Sequence, residues 1–224
     1  MTIPLVALCG IGADAACWRG MPVDAIHVPS GASIAAMADA VLAKLPDRFA
    51  LAGHSMGGYV ALAVAARAAD RLTGLALLST SARADSDEQR AGRRRVMADA
   101  RIDYPAVAGT LARASLARDS RADPALLDEV RAMLLRCDAD RFIEQQTAAL
   151  ERPDQRGDLS AIAVPVLVLT GAEDRIVAPE RSIELAEAIR GATLAVVDRC
   201  GHMPQLEAAE ATRAALAAWL ERIA

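Results

Sequence analysis

Short apolar runs alternate along the chain with longer stretches in which apolar positions recur every three or four residues. The runs cover 3–8, 25–28, 49–52, 75–78, 166–169 and 194–197 and are rich in Val, Leu and Ile. Runs of four to six apolar residues without polar alternation fit strands buried on both faces of a parallel sheet. The stretches near 33–45, 57–69, 179–190 and 207–222 carry helical spacing. In the last of these, Leu216, Trp219, Leu220 and Ile223 share one face, which predicts a helix laid against the sheet. Strand and helix in turn predict βαβ units and an α/β fold, a mostly parallel, doubly wound sheet.

The alternation stops between Ser81 and Asp158. That segment is dense in Arg, Asp, Glu, Leu and Ala, has no strand-like run, and predicts three or four amphipathic helices. The expected organisation is a core of residues 1–81 and 159–224 with an inserted helical cap or lid at 82–158. Pro165 precedes the strand with which the core resumes.

Composition narrows the function classes. The chain has 224 residues, 54% of them hydrophobic and 24% charged, with a net charge of −4 at pH 7. That charge gives no electrostatic reason for nucleic acid or an anionic membrane as partner. The apolar start, "MTIPLVALCG", lacks a basic segment and is too short for a signal peptide or a membrane span. Cys9, Cys17, Cys137 and Cys200 form no CxxC pair and no ligand-like cluster with histidine. No metal or cofactor is therefore expected. The thiols are read as reduced, and the protein as cytoplasmic. Lys44 is the only lysine beside abundant arginine and alanine, a GC-rich usage that suggests a bacterial source.

The chemistry centres on Gly53-His54-Ser55-Met56-Gly57. A strand, "RFALAG", runs into this GxSxG and a helix, "GGYVALAVAARAA", runs out of it. Strand–turn–helix is the setting of a nucleophile elbow. The turn is tight enough that residues two before and two after the serine must be glycine. Ser55 then sits at a helix N-terminus, which favours negative charge.

A nucleophilic serine needs a base, and the base an orienting acid. Of three histidines, His27 ends an early strand and is given a structural role, and His54, inside the elbow, should point away from Ser55. His202 lies in "DRCGHMPQLE", a loop after the last strand, and is the candidate base. "VLVLTGAEDRIVAP" delivers Asp174 at a strand end as the candidate acid, with Glu173 facing elsewhere and Asp198 as the alternative. The order Ser55, Asp174, His202 is the order of one triad-bearing fold.

With "LCGIGADAACW", "GHSMGG", "GAEDRIVAP" and "GHMPQLE" in place, the whole chain resembles the α/β-hydrolase superfamily, and within it the small bacterial serine esterases with a helical cap. The resemblance implies backbone N–H groups of Ile11 and Met56 as an oxyanion hole. Where many relatives have His-Gly this chain has Cys9-Gly10, with Cys9 filling that space or, alternatively, acting itself. The start of the chain implies a sheet shortened at its N-terminal edge to six strands. Aspartate-dependent dehalogenase and epoxide hydrolase reactions are excluded by the serine.

The implied activity is hydrolysis of a small carboxylic ester through an acyl-enzyme on Ser55. C–C bond hydrolysis, lactone opening and a non-catalytic ligand-binding protein are the alternatives. The expected substrate pocket lies between sheet and cap. Gly10, Ile11, Met56, Met203, Leu111 and Met133 are candidate lining residues. Arg93, Arg94 and Arg95 are read as a solvated helix face, with contact to a substrate carboxylate as the alternative. The expected partner is a small-molecule ester, and the expected state a monomer or homodimer.

Overall fold

The computed structural model describes residues 3–223. Six strands form one sheet: β1 (Leu5–Leu8), β2 (Ala25–His27), β3 (Phe49–His54), β4 (Leu72–Leu78), β5 (Val166–Gly171) and β6 (Thr193–Val197). Their order is β2-β1-β3-β4-β5-β6, with every neighbouring pair parallel. Side chains alternate between two cores. Val6 and Leu8 pack on one face with α1 (Ile34–Leu42), α2 (Met56–Arg67) and Leu185 of α6 (Pro179–Ala188). Leu5 and Ala7 pack on the other, with Trp18, Leu216 and Trp219. Four central strands are buried along their whole length, as unalternated apolar runs require. Both edge strands depart from that expectation: β2 has Ala25 exposed and Ile26 and His27 half-buried, and in β6 Leu194 and Val196 are 39% and 45% exposed.

Between β4 and β5 lie only helices: α3 (Asp87–Ser115), α4 (Pro124–Arg136), α5 (Ala139–Leu150) and short 3-10 turns. Ser86 and Gln89 close α3 with reciprocal bonds between side chain and backbone, and Asp123 and Asp138 cap α4 and α5. α3 kinks at Asp103 (φ −149°, ψ 82°). Pro105 cannot donate to the preceding turn, so the helix restarts there with Asp103 Oδ1 accepting from Ala106 N. The helix expected near 207–222 is α8 (Ala209–Leu220), and a separate one-turn helix, α7 (Pro204–Glu207), precedes it across Ala208 (φ −134°, ψ 53°). Ile223 lies beyond α8, yet still packs where a Cβ on Gly74 would fall. No helix among the described residues is long and apolar enough to cross a membrane.

Candidate active site

Ser55 stands between β3 and α2 with φ 54° and ψ −118°, a left-handed conformation rare for a residue with a side chain. The surrounding glycines show what holds it. A Cβ on Gly53 would lie 2.4 Å from the Gly57 carbonyl oxygen, and one on Gly57 would lie 2.4 Å from that of Leu8. Both obstacles are backbone and cannot step aside. Ser55 N donates to the Leu78 carbonyl (2.9 Å), and Thr80 Oγ1 donates to the Ser55 carbonyl (2.7 Å). The strained residue is thus pinned from β4 and the loop after it.

His202 and Asp174 come from the loops after β6 and β5. Their side chains meet at 2.8 Å, His202 Nδ1 to Asp174 Oδ2, with Asp174 4% and His202 5% exposed. Asp174 Oδ1 accepts from the backbone N–H groups of Ile176 and Val177, each at 2.9 Å. Burial opposes ionisation of this carboxyl. The facing His202 and the two N–H groups outweigh it and hold Asp174 below its ordinary range. Asp198 is exposed on the surface and takes no part.

The His202 loop is held by groups that no local motif announces. His202 N donates to the Ser115 carbonyl at the end of α3 (2.7 Å). Glu207 Oε1 accepts from Gly201 N and Met203 N, and its Oε2 from Ala117 N. Glu173 does face elsewhere, its Oε2 accepting from Arg118 N (3.0 Å). His54 Nε2 donates to the His202 carbonyl at 2.7 Å. Complete burial, then the neighbouring His202, pushes His54 down to about 3, so its imidazole stays neutral, and its Nδ1 is buried without a partner among the described residues. His27 lies at the end of β2, away from these groups.

Ser55 and His202 open onto a shared cavity of about 590 Å³ between the sheet edge and the inserted helices. Ile11, Leu111, Leu134 and Phe142 give it an apolar part, and Arg83, Arg93, Arg152, Arg156 and Arg181 give it a basic rim. Acidic groups pair with several of these. Asp85 sits between Arg93 (2.5 Å) and Arg152 (2.7 Å), and Arg152 also stacks on the Tyr59 ring.

The structure redistributes the expected lining residues. Met56 is fully buried against the core under α2 and does not line the cavity. Gly10, Met133 and Met203 border a separate space of about 40 Å³ beside Ser55 and His202. Arg94 and Arg95 are exposed as expected, but Arg93 turns in and also donates to Gln146 Oε1 (2.6 Å). Trp219 packs in the core as expected and donates Nε1 to the Pro165 carbonyl. Cys9 is buried, its Sγ 3.7 Å from that of Cys17.

The turn after β1 approaches Ser55 closely, since a Cβ on Gly10 would lie 3.1 Å from Ser55 Cβ. The N–H groups of Ile11 and Met56 donate to no protein group among the described residues. Gly12 N, the next donor along, is taken by Gln145 Oε1 of α5. No cluster of three or more His, Cys, Asp or Glu side chains able to hold a metal ion occurs among the described residues.

A parallel sheet with a strained serine at a strand–helix turn, and a His–Asp pair delivered by the next strand ends, is the layout of an α/β hydrolase. The profile of the Alpha/beta hydrolase family matches residues 5–215, and the chain belongs to that family. Pimeloyl-[acyl-carrier protein] methyl ester esterase of Neisseria meningitidis is 30% identical over 204 residues, covering 85% of this chain and 79% of that protein. A thermophilic esterase from Thermogutta terrifontis superposes with a TM-score of 0.85 at 30% identity, covering 99% and 90% of the two chains. The enol-lactonase from Burkholderia xenovorans superposes at 0.86 with 26% identity, covering 99% and 92%. The named relatives are esterases and hydrolases, and the chain is a hydrolase of this family.

Proposed function

We propose that the protein is a serine hydrolase that cleaves a small carboxylic ester through an acyl-enzyme on Ser55. The observation that carries this reading is the pairing of buried His202 with buried Asp174 at 2.8 Å, on the same cavity as the elbow serine. Ser55 Oγ attacks the ester carbonyl while His202 Nε2 takes its proton. Asp174 keeps the other ring proton on Nδ1 and stabilises the imidazolium. The N–H groups of Ile11 and Met56, free of protein acceptors among the described residues, bind the developing oxyanion. The C–O bond breaks, and His202 returns its proton to the departing alcohol. Water, deprotonated by His202, then attacks the acyl-enzyme and releases the acid.

Residues 82–158 serve as the cap over this cavity, and the core is 1–81 with 159–224. Leu111, Leu134 and Phe142 from the inserted helices favour an apolar acyl group next to Ser55. Similarity to the enol-lactonase favours lactone opening as a second reading. It uses the same steps, with the leaving alcohol still tethered to the acyl group.

The test is a fluorophosphonate probe with the adduct mapped by mass spectrometry, together with p-nitrophenyl butyrate turnover by wild type and Ser55→Ala. Labelling of Ser55, and turnover falling at least about a thousandfold in the variant, is the expected result. A folded protein that takes no label, or a Ser55→Ala variant that turns over normally, overturns the proposal in favour of a non-catalytic binding protein or of Cys9.

A further inference from the structure

Gln145 is completely buried in α5, within the inserted helices, yet both ends of its amide are used on the core. Oε1 accepts from Gly12 N at 2.9 Å, and Nε2 donates to the Pro29 carbonyl at 2.9 Å. The first bond joins residues 133 apart in sequence. Gly12 itself (φ 70°) lies under the same helices. A Cβ there would meet Leu134 Cδ2 at 3.0 Å, Phe142 Cδ2 at 3.6 Å and Tyr104 Oη at 3.7 Å.

A turn containing Gly10 and Gly12 has little backbone preference of its own, so its peptide planes can rotate at small cost. An amide that holds the Ile11–Gly12 peptide, with its own second bond anchored on the loop after β2, removes that freedom. The adjacent peptide, Gly10–Ile11, carries the N–H that faces the reacting carbonyl in the proposed mechanism. We infer that Gln145 is a positioning residue for the oxyanion hole, so that the hole is complete only while α5 is docked on the core. The inserted helices then do more than roof the cavity, because they set the geometry of the catalytic donor. This rests on the serine-hydrolase reading above.

The experiment compares Gln145→Leu, which removes both bonds, with Gln145→Glu, which keeps an oxygen facing Gly12 N. The readouts are the second-order rate of fluorophosphonate labelling at Ser55, kcat and KM on p-nitrophenyl butyrate, and thermal stability. Labelling forms the Ser55 Oγ–P bond, expels fluoride and places negative charge on the phosphoryl oxygen, so it depends on the oxyanion donors. Gln145→Leu should lower the labelling rate and kcat together by about tenfold or more, with KM within about twofold. Gln145→Glu should recover most of that loss. If Gln145→Leu does not fold, Gln145→Met, closer in length to glutamine, replaces it in the comparison with Gln145→Glu. Labelling at the wild-type rate in the apolar variant, or equal losses in the apolar and Glu variants, would overturn the inference. A wild type that takes no label at Ser55 would instead defeat the hydrolase reading itself, so the two failures are distinct.

Discussion

Replacing Asp174 by asparagine should leave the fold in place and still stop the reaction, and the reason lies in which oxygen does what. Oδ1 accepts two backbone N–H groups, from Ile176 and Val177, while Oδ2 accepts only from His202 Nδ1. Asparagine must present one oxygen and one NH2 group to these partners. Turning the NH2 toward the loop would set it against two part-buried N–H donors and forfeit both bonds, at about 1 kcal/mol for each bond lost. The oxygen therefore stays on the loop, and the NH2 faces His202. Nδ1 must then be the acceptor, which moves the ring proton to Nε2, where Ser55 needs a base. The barrier to serine attack should rise by about 4–5.5 kcal/mol, a loss of about 10³- to 10⁴-fold in kcat. Because the loop bonds survive, unfolding free energy should change by no more than about 1 kcal/mol. The assay is p-nitrophenyl butyrate hydrolysis and fluorophosphonate labelling at pH 7.5, with urea melts and the 15N shifts of labelled histidine to read the tautomer. Activity within about tenfold of wild type, in a folded variant with the proton on Nε2, would show that the Nδ1 proton held by Asp174 is not what the reaction needs.

Two further outcomes follow from buried charge. His54 is held near 3 in the folded protein against 6.5 for an ordinary imidazole, so as pH falls the unfolded chain takes the proton first. The stability it confers is present above about pH 6.5 and declines by about 1.4 kcal/mol per unit as pH drops toward 3. Between pH 7.5 and 5, urea melts should show wild type losing about 2 kcal/mol that His54→Gln does not lose. Parallel pH profiles for the two proteins would contradict this. Asp85, 2% exposed at its side chain, bridges the Arg93 and Arg152 cations at the cavity rim. Asp85→Ala strands Arg152, itself 4% exposed, and should cost about 3–5 kcal/mol of unfolding free energy. A cost below about 1 kcal/mol would mean the pair is solvated.

Residues placed by local rules were readable along the chain. The six runs are the six strands, because burial on both faces selects Val, Leu and Ile irrespective of what covers them. The exceptions are β2 and β6, whose places at the two sheet edges no short run can reveal. Gly53 and Gly57 were legible because the constraint is steric and lies within the turn. Ser55, Asp174 and His202 were legible because each sits where a strand ends and the chain changes direction. The helix near 207–222 was legible as α8, whereas the one-turn α7 that Pro204 starts lies inside the stretch that reads as the His202 loop.

The groups that hold those residues in place came into view only in three dimensions. Glu207 reads locally as one acid in a helix, but it ties the His202 loop to the end of α3. Gln145 is a polar position in an amphipathic pattern, but it reaches the turn after β1. Met56, adjacent to the serine, was expected at the cavity and turned into the core, because a helix carries successive side chains about 100° apart. Periodicity and sterics act over a few neighbouring residues, so the chain itself dictates its elements and the tight turn. Direction of a side chain and its partner across the fold depend on how those elements pack, and packing brings together residues that nothing in the local pattern relates.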